Sequence, residues 1–385
     1  MSDSQIESDI RFLAGELPHR GPNTQNERAA AQYIHERLRA FVPDAAIDDF
    51  YSIENHKYLF AAYYGEFFFV AVIAWWFPRA ALCYGAAVFL AYLAEFSGYL
   101  LLGRLLPSFE TQNVAARVLA ERPGRLFVVT AHYDSGKASF LSRPRVAPWL
   151  RAAHLTAVAC MAMVVISCAT DAVGLFELTA LRYDVVARWG AVVYLAVAAA
   201  LLLHCEHAGE FVPGAIGNAS GVAVLLELAR RFSKNPLGTA DVWFVATGSK
   251  ESWMNGIRHF VTTHDLDRET TYVLNVAHVG AGSLHYTTRE GMLHAFPCSR
   301  EMVASAKAVA AAHGALPCRL RHAPSDAAVA LARGIKTMSI VGLDRHALPP
   351  HWNRHTDTPE QCDFDQVQRA ADFAEAVLQR LSAEQ

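Results

Sequence analysis

Residues 126–135 read Leu-Phe-Val-Val-Thr-Ala-His-Tyr-Asp-Ser (LFVVTAHYDS). Leu126 to Thr130 is a short apolar run that follows the turn pair Pro123-Gly124, the pattern of a strand. The run leads into Ala131-His132-Tyr133-Asp134. Side chains two apart on an extended segment point to the same side, so His132 and Asp134 share a face at the strand's end. There the carboxylate can fix the imidazole through one ring nitrogen and leave the other for a metal. A lone pair of this kind is more often structural than metal-binding, so the neighbouring segments decide what it does.

Upstream, Val114 to Leu119 predicts a neighbouring strand, joined across the Pro123-Gly124 turn. Ile6 to Val42 carries helical spacing through Ile10, Leu13, Ala30, Ile34, Leu38 and Phe41, broken at Pro18 and Gly21-Pro22, and predicts two amphipathic helices. Downstream, Gly214 to Gly221 (GAIGNASG) is a loop of small residues suited to starting a helix, which continues through Val222 to Leu228. Asp241 to Thr247 and Tyr272 to Val276 are predicted strands, followed by Gly248-Ser249-Lys250-Glu251 and Ala277-His278-Val279-Gly280. Pro349 to Pro359 (PPHWNRHTDTP) is rich in turn formers and histidine, and Phe364 to Leu381 predicts a closing amphipathic helix. Strands alternating with helices imply an α/β sheet.

Apolar runs interrupt this pattern. Tyr58–Phe77, with Trp75, Trp76 and Arg79 at its end, and Ala80–Leu106 predict a transmembrane hairpin turning at Pro78-Arg79. Ala147–Ala169 and Val185–Leu203, joined through Thr170 to Asp184, predict a second hairpin. Four spans, an even number, put residues 1–57, 107–146 and 205–385 on one side of a lipid bilayer, where they can form one domain. Lys57, Arg104, Arg143 and Arg145 on that side against Arg79, Arg182 and Arg188 on the other predict a cytoplasmic domain. Glu66, Glu95 and His154 fall inside the apolar runs. They are candidates for transport or lipid contact, or for pairing between the hairpins.

The bulk composition agrees with membrane segments: of 385 residues, 53% are hydrophobic and 18% charged. A net charge of −3, from 34 basic and 37 acidic residues, gives no broad positive field, which excludes nucleic acid as a partner class. The polar stretch Met1 to Arg20 does not read as a signal peptide. The seven cysteines include no CxxC pair and no disulfide framework, as expected of thiols in a reducing compartment.

Taken in order, VVTAHYDS (Val128–Ser135), GAIGNASGVAVLLELA (Gly214–Ala229), VATGSKE (Val245–Glu251), NVAHVG (Asn275–Gly280) and HTDTP (His355–Pro359) resemble the di-zinc aminopeptidase family, which includes the glutaminyl cyclases. The resemblance extends to Pro18-His19-Arg20 and covers about two thirds of the chain. It implies a zinc-exopeptidase-like mixed sheet flanked by helices, with the two hairpins as insertions.

In that family two zinc ions share a bridging Asp, each takes one His and one further carboxylate, and a Glu serves as base. By resemblance, His132 matches the first ligand and Asp134 its orienting partner. The bridging Asp falls on Gly217. The base falls on Lys250, whose ammonium cannot accept a proton while charged, and the next ligand on Glu251. A further Asp ligand falls on Ala277 and the last His on Asn353. His351, His355 and His278 stand nearby as substitutes, although strand alternation predicts that His278 points away from the site.

Two of five ligands are too few for the family's metal centre, so no resident cofactor is expected, zinc being the one the resemblance names. Lys250 is expected to fill the emptied site and pair with Glu251 or Asp134. The expected function is a membrane-anchored, non-catalytic binding or scaffold protein whose groove takes a peptide or protein terminus. One alternative is an active zinc aminopeptidase with a single-metal site of His132, Glu251 and His355. Another places the function in the membrane segments, through Glu66 and Glu95.

Overall fold

In the computed structural model, which describes residues 5–174, 183–322 and 325–383, the Thr24 side chain accepts a hydrogen bond from the Glu27 amide and opens a helix. The chain enters through α1 (Gln5–Arg11) and α2 (Gln25–Arg39), then β1 (Ala46–Ile53). Two long helices follow, α3 (His56–Ile73) and α4 (Pro78–Phe96), the second with Pro78 in its first turn. Next come β2 (Ser108–Val118), β3 (Arg125–His132) and the short β4 (Lys137–Ala138). Two more long helices, α5 (Leu150–Ala172) and α6 (Tyr183–His207), precede the short β5 (Glu210–Phe211). The remainder runs α7 (Ser220–Lys234), β6 (Ala240–Thr247), α8 (Asn255–Thr263), β7 (Thr271–Ala277), β8 (Ser283–Glu290) and β9 (Phe296–Pro297). It closes with α9 (Arg300–His313), β10 (Leu316–Leu320), α10 (Asp326–Ala332), β11 (Lys336–Leu343) and α11 (Phe364–Ala383).

The main sheet is mixed, in the order β1-β2-β6-β3-β7-β11-β8-β10, with β9 on β8. Its centre, β6-β3-β7-β11, is parallel, and the flanking pairs β1-β2, β2-β6 and β11-β8 are antiparallel. The strands predicted at 114–119 and 126–130 are therefore not neighbours, because β6 lies between them. The reason is in the run itself: Phe127, Val128 and Val129 are all buried, as on a strand covered on both faces.

Alternation along β3 divides the core. Phe127, Val129 and Ala131 join α1, α2, α7, α9 and α11 in one hydrophobic cluster. Val128 faces the other way, with Ala115, Val245 and Val273, into a cluster that contains Trp253, Phe260 and the inner sides of α3 to α6. The long helices thus cover one face of the sheet directly. Trp253 marks the seam: its ring lies 4.6 Å from Phe60 and 5.1 Å from Phe96, and its indole nitrogen donates to the Glu95 carbonyl at 3.1 Å. Arg258 of α8 adds a bond to the Gly98 carbonyl at 3.0 Å.

Three helical stretches, Pro78–Phe96, Ala147–Ala172 and Tyr183–His207, are long and apolar enough to cross a membrane. Of the four expected spans, α3 falls short of this combination of length and apolarity because it begins at His56-Lys57 and carries Glu66 and several tyrosines. Leu59, Phe60, Tyr63, Tyr64 and Phe67 of α3 are buried against its neighbours. The run expected to continue to Leu106 ends as a helix at Phe96. Gly98 then takes a left-handed conformation (φ 79°), and the Glu95 carboxylate accepts from the Leu101 amide at 2.8 Å and the Tyr63 hydroxyl at 3.0 Å. Glu66 accepts from Tyr84 at 2.5 Å, and His154 packs on Phe60 and Phe96. Residues 175–182 of the connection between α5 and α6, Arg182 among them, lie outside the described residues. The seven cysteines are free.

Candidate functional site

The C-terminal ends of the parallel strands β3, β6 and β7 converge on one place, as ligand sites in α/β sheets do. His132 ends β3, and its Nδ1 lies 3.2 Å from both the Asp134 carboxylate and the Asp134 carbonyl. Both partners are acceptors, so Nδ1 carries a proton, and in the neutral ring Nε2 presents a lone pair. That Nε2 is buried and has no hydrogen-bond partner. The other Asp134 oxygen accepts from the Glu251 amide at 2.7 Å, tying the end of β3 to the loop after β6.

That loop is held from behind. Ser249 takes a left-handed conformation (φ 53°), and its amide donates to Glu27 of α2 at 2.9 Å. Glu27 also accepts from the Asn23 amide and the Thr111 hydroxyl. Burial, together with the nearby Asp134, pushes the Glu27 carboxyl up to about 8. The anchored loop turns Lys250 and Glu251 inward. Lys250 Nζ donates to Glu251 Oε1 at 2.7 Å, with side-chain exposures of 12% and 10%. Burial opposes both charges, but each partner outweighs it: the Glu251 carboxyl is held well below the usual carboxylate range and the Lys250 ammonium above its ordinary value. Asn353 reaches the second Glu251 oxygen, its Nδ2 donating at 3.3 Å. His56, which sequence reasoning passed over, lies with Nδ1 2.6 Å from the Glu251 carbonyl.

Gly217 sits where the Asp357 carboxylate arrives, and its amide donates to Asp357 Oδ2 at 3.1 Å while Ile216 donates to Oδ1 at 2.6 Å. A Cβ at Gly217 would come within 2.7 Å of that Oδ2. Burial pushes the Asp357 carboxyl up to about 7, against these bonds and Arg20. Ala277 ends β7 on the wall of the cavity that His132 lines.

His278 departs from the expected alternation. Its backbone turns to φ 56° as β7 ends, which swings the ring to 6.1 Å from that of His132. His355 goes the other way: its side chain is 62% exposed and lies 3.7 Å from Glu210. His351 is bonded to Thr356 at 2.7 Å.

The same cavity brings in residues that no motif announced. Asp326, at the start of α10, accepts from Thr247 at 2.6 Å and leaves Oδ1 buried without a partner. His322 and Trp352 complete the wall, and Nδ1 of both His278 and His322 is also buried and unpartnered. Among the described residues, no group of three or more His, Cys, Asp or Glu side chains is placed to hold a metal ion.

The family model described as Peptidase family M28 matches residues 185–378. A search of curated proteins finds no match. Among solved structures, a zinc aminopeptidase from Bacillus subtilis is 15% identical with a TM-score of 0.57, covering 97% of this chain and 94% of that one. A glutaminyl cyclase from Porphyromonas gingivalis is also 15% identical, with a TM-score of 0.52 and coverages of 97% and 96%. A Zn-dependent exopeptidase from Parabacteroides distasonis is 12% identical, with a TM-score of 0.54 and coverages of 99% and 98%. These likenesses establish a shared fold.

Proposed function

Because the chain belongs to peptidase family M28, we propose that it is a membrane-held member of that family in which the peptidase fold binds rather than hydrolyses. The observation that carries this reading is the state of Glu251: one oxygen is taken by Lys250 and the other by Asn353. A carboxylate already paired with an ammonium is a weakened metal ligand, and the ammonium beside it is a poor base. Gly217 and Ala277 offer no donor atom, and a side chain at 217 would meet Asp357. The residues present therefore do not fit a two-zinc centre. Lys250 supplies, inside the protein, the positive charge that Glu251 would otherwise take from a metal. The groove above His132 is left for a peptide or protein terminus.

The two long-helix pairs interrupt one peptidase-like domain and hold it at the bilayer, with the domain on the cytoplasmic side. In-bundle partners for Glu66 and Glu95 favour an anchor over a transport path.

The decisive experiment measures zinc in the purified full chain, with His132→Ala as control, alongside hydrolysis of aminoacyl chromogenic substrates. Near-zero zinc and no chelator-sensitive cleavage are expected. About one zinc per chain, lost in the variant and accompanied by cleavage, overturns the reading. A single-metal enzyme is the second reading, favoured by the unpartnered nitrogens of His132 and His278, two residues that line one cavity. Under it His278→Ala, rather than His355→Ala, removes the zinc.

A further inference from the structure

Three cavities adjoin at this site. The innermost, about 30 Å³, is walled by His132, His278, His322, Asp326 and Lys250. The next, about 120 Å³, shares Lys250, His322 and Trp352 with it, and is closed on its other side by Phe60 of α3, Leu150 of α5 and Leu202 of α6. A third, about 510 Å³, shares Asn55 with the second and runs between Tyr58, Ala61, Leu106 and Leu203. Polarity falls along the series, from unpartnered imidazoles to an apolar groove on the long helices.

The inner cavity is built as a hydrogen-bonding site. Four of the residues that line it carry a buried polar atom without a partner: His132 Nε2, His278 Nδ1, His322 Nδ1 and Asp326 Oδ1. His132 (4% exposed) and Asp326 (2% exposed) are more than nine-tenths buried. Each such atom is costly to bury unless something bonds to it. His132 Nε2 is an acceptor, because its Nδ1 faces Asp134. Lys250 gives one proton to Glu251 and has two more to donate. The cavity therefore offers both an acceptor and a donor, the complement of a hydroxyl or an amide.

Charge selects among such groups. Lys250 and Glu251 neutralise one another at 2.7 Å, so an ionic head would enter as an unpaired buried charge, next to an ammonium or a carboxylate already matched. Burial, the leading influence on the Asp326 carboxyl, pushes it up, in the direction that favours its neutral form.

We propose that the three cavities are one binding site for an uncharged amphiphile, its hydroxyl- or amide-bearing head held between His132 and Lys250 and its apolar chain lying along α3 and α6. This rests on the non-catalytic reading of the site and specifies the ligand as a neutral lipid-like molecule that reaches it from the helices. The middle cavity has room for a few methylenes, with the rest of the chain in the groove.

The test uses the full chain in phosphatidylcholine nanodiscs and a photoreactive diazirine analogue of 1-octanoylglycerol, with labelled peptides identified by mass spectrometry. Saturable labelling of peptides containing Trp253-Met254, Trp352 or Leu202-Leu203 is expected. 1-Octanoylglycerol should compete at least tenfold better than octanoate or octylamine. Leu202→Trp, which fills the passage, should abolish labelling at Trp352, whereas Val197→Trp on the exposed side of α6 should not. Unsaturable labelling confined to exposed positions such as Val193 and Val197, or equal competition by all three amphiphiles, overturns the proposal. Competition on the unmodified chain decides even if Leu202→Trp fails to fold. Zinc-dependent hydrolysis would overturn the non-catalytic reading whatever the labelling shows, and absent head selectivity without hydrolysis overturns only the ligand assignment.

Discussion

Lys250 Nζ stands 2.7 Å from Glu251 Oε1, with both side chains almost wholly buried. Removing one partner leaves an uncompensated charge, so Lys250→Met should destabilise the protein by roughly 3–5 kcal/mol, whereas Lys250→Met with Glu251→Leu should cost much less. Denaturant unfolding of the single and double variants checks this. The pH dependence has a definite sign. Glu251 is depressed in the folded state, so its contribution is complete above its ordinary value near 4.5 and is lost as pH falls below that value. Lys250 is raised, so its contribution is complete below about 10.5 and is lost above it. The pair's own contribution should therefore be constant from pH 6 to 9, where Glu27 and Asp357 set the slope of the profile. A profile that Glu251→Gln left unchanged on the acid side would contradict the assignment.

Trp253 bridges the site loop and the long helices, packed on Phe60 and Phe96. Trp253→Ala should cost about 3–5 kcal/mol, as for a large buried ring. It should also loosen α3 and α4 from the sheet, which hydrogen exchange reads as lost protection in both helices. Unchanged exchange there would mean that the helices dock independently of Trp253.

A second tie joins the helix ends to the loop after His132. Glu206, near the end of α6, accepts from Lys57 at the start of α3 at 2.9 Å, and from Lys137. Glu206→Gln leaves two ammonium groups close together without their counter-ion and should lower stability by roughly 3–5 kcal/mol. Lys137→Met removes only the more exposed cation and should cost less. Thermal unfolding of the two variants in nanodiscs separates them, and a smaller effect for Glu206→Gln would refute the ranking.

Legibility followed the physics of each segment. The strand through Leu126 to Thr130, the small-residue loop at Gly214 to Gly221 and the final helix were readable because each carries a local pattern. The order of strands was not, because nothing local tells Val114–Leu119 that β6 inserts beside it. That Lys250 would pair inside the site was legible from the family positions, but its choice of Glu251 over Asp134 was not, because it depends on how the loop after β6 turns. His278 was misjudged because alternation holds only while the backbone stays extended, and it ends at that residue with φ 56°. Asp326 and His322 carried no signal: each reaches the cavity from a segment that no motif marked, whereas Trp352 stands beside Asn353.

Gly217 allows a final test of how far the site has moved from a metal centre. Its amide and that of Ile216 hold the Asp357 carboxylate in the space a side chain at 217 would need. Gly217→Asp alone should therefore destabilise, by about 1–3 kcal/mol from overpacking and like charge, and should bring no zinc. Adding Lys250→Glu, Ala277→Asp and Asn353→His supplies donor atoms at all the positions that resemble ligands and releases Glu251 from both of its present partners. That fourfold variant should bind zinc measurably by elemental analysis where the single variant does not. Zinc uptake by Gly217→Asp alone would mean that Asp357 yields easily and that Lys250 does not hold the site closed.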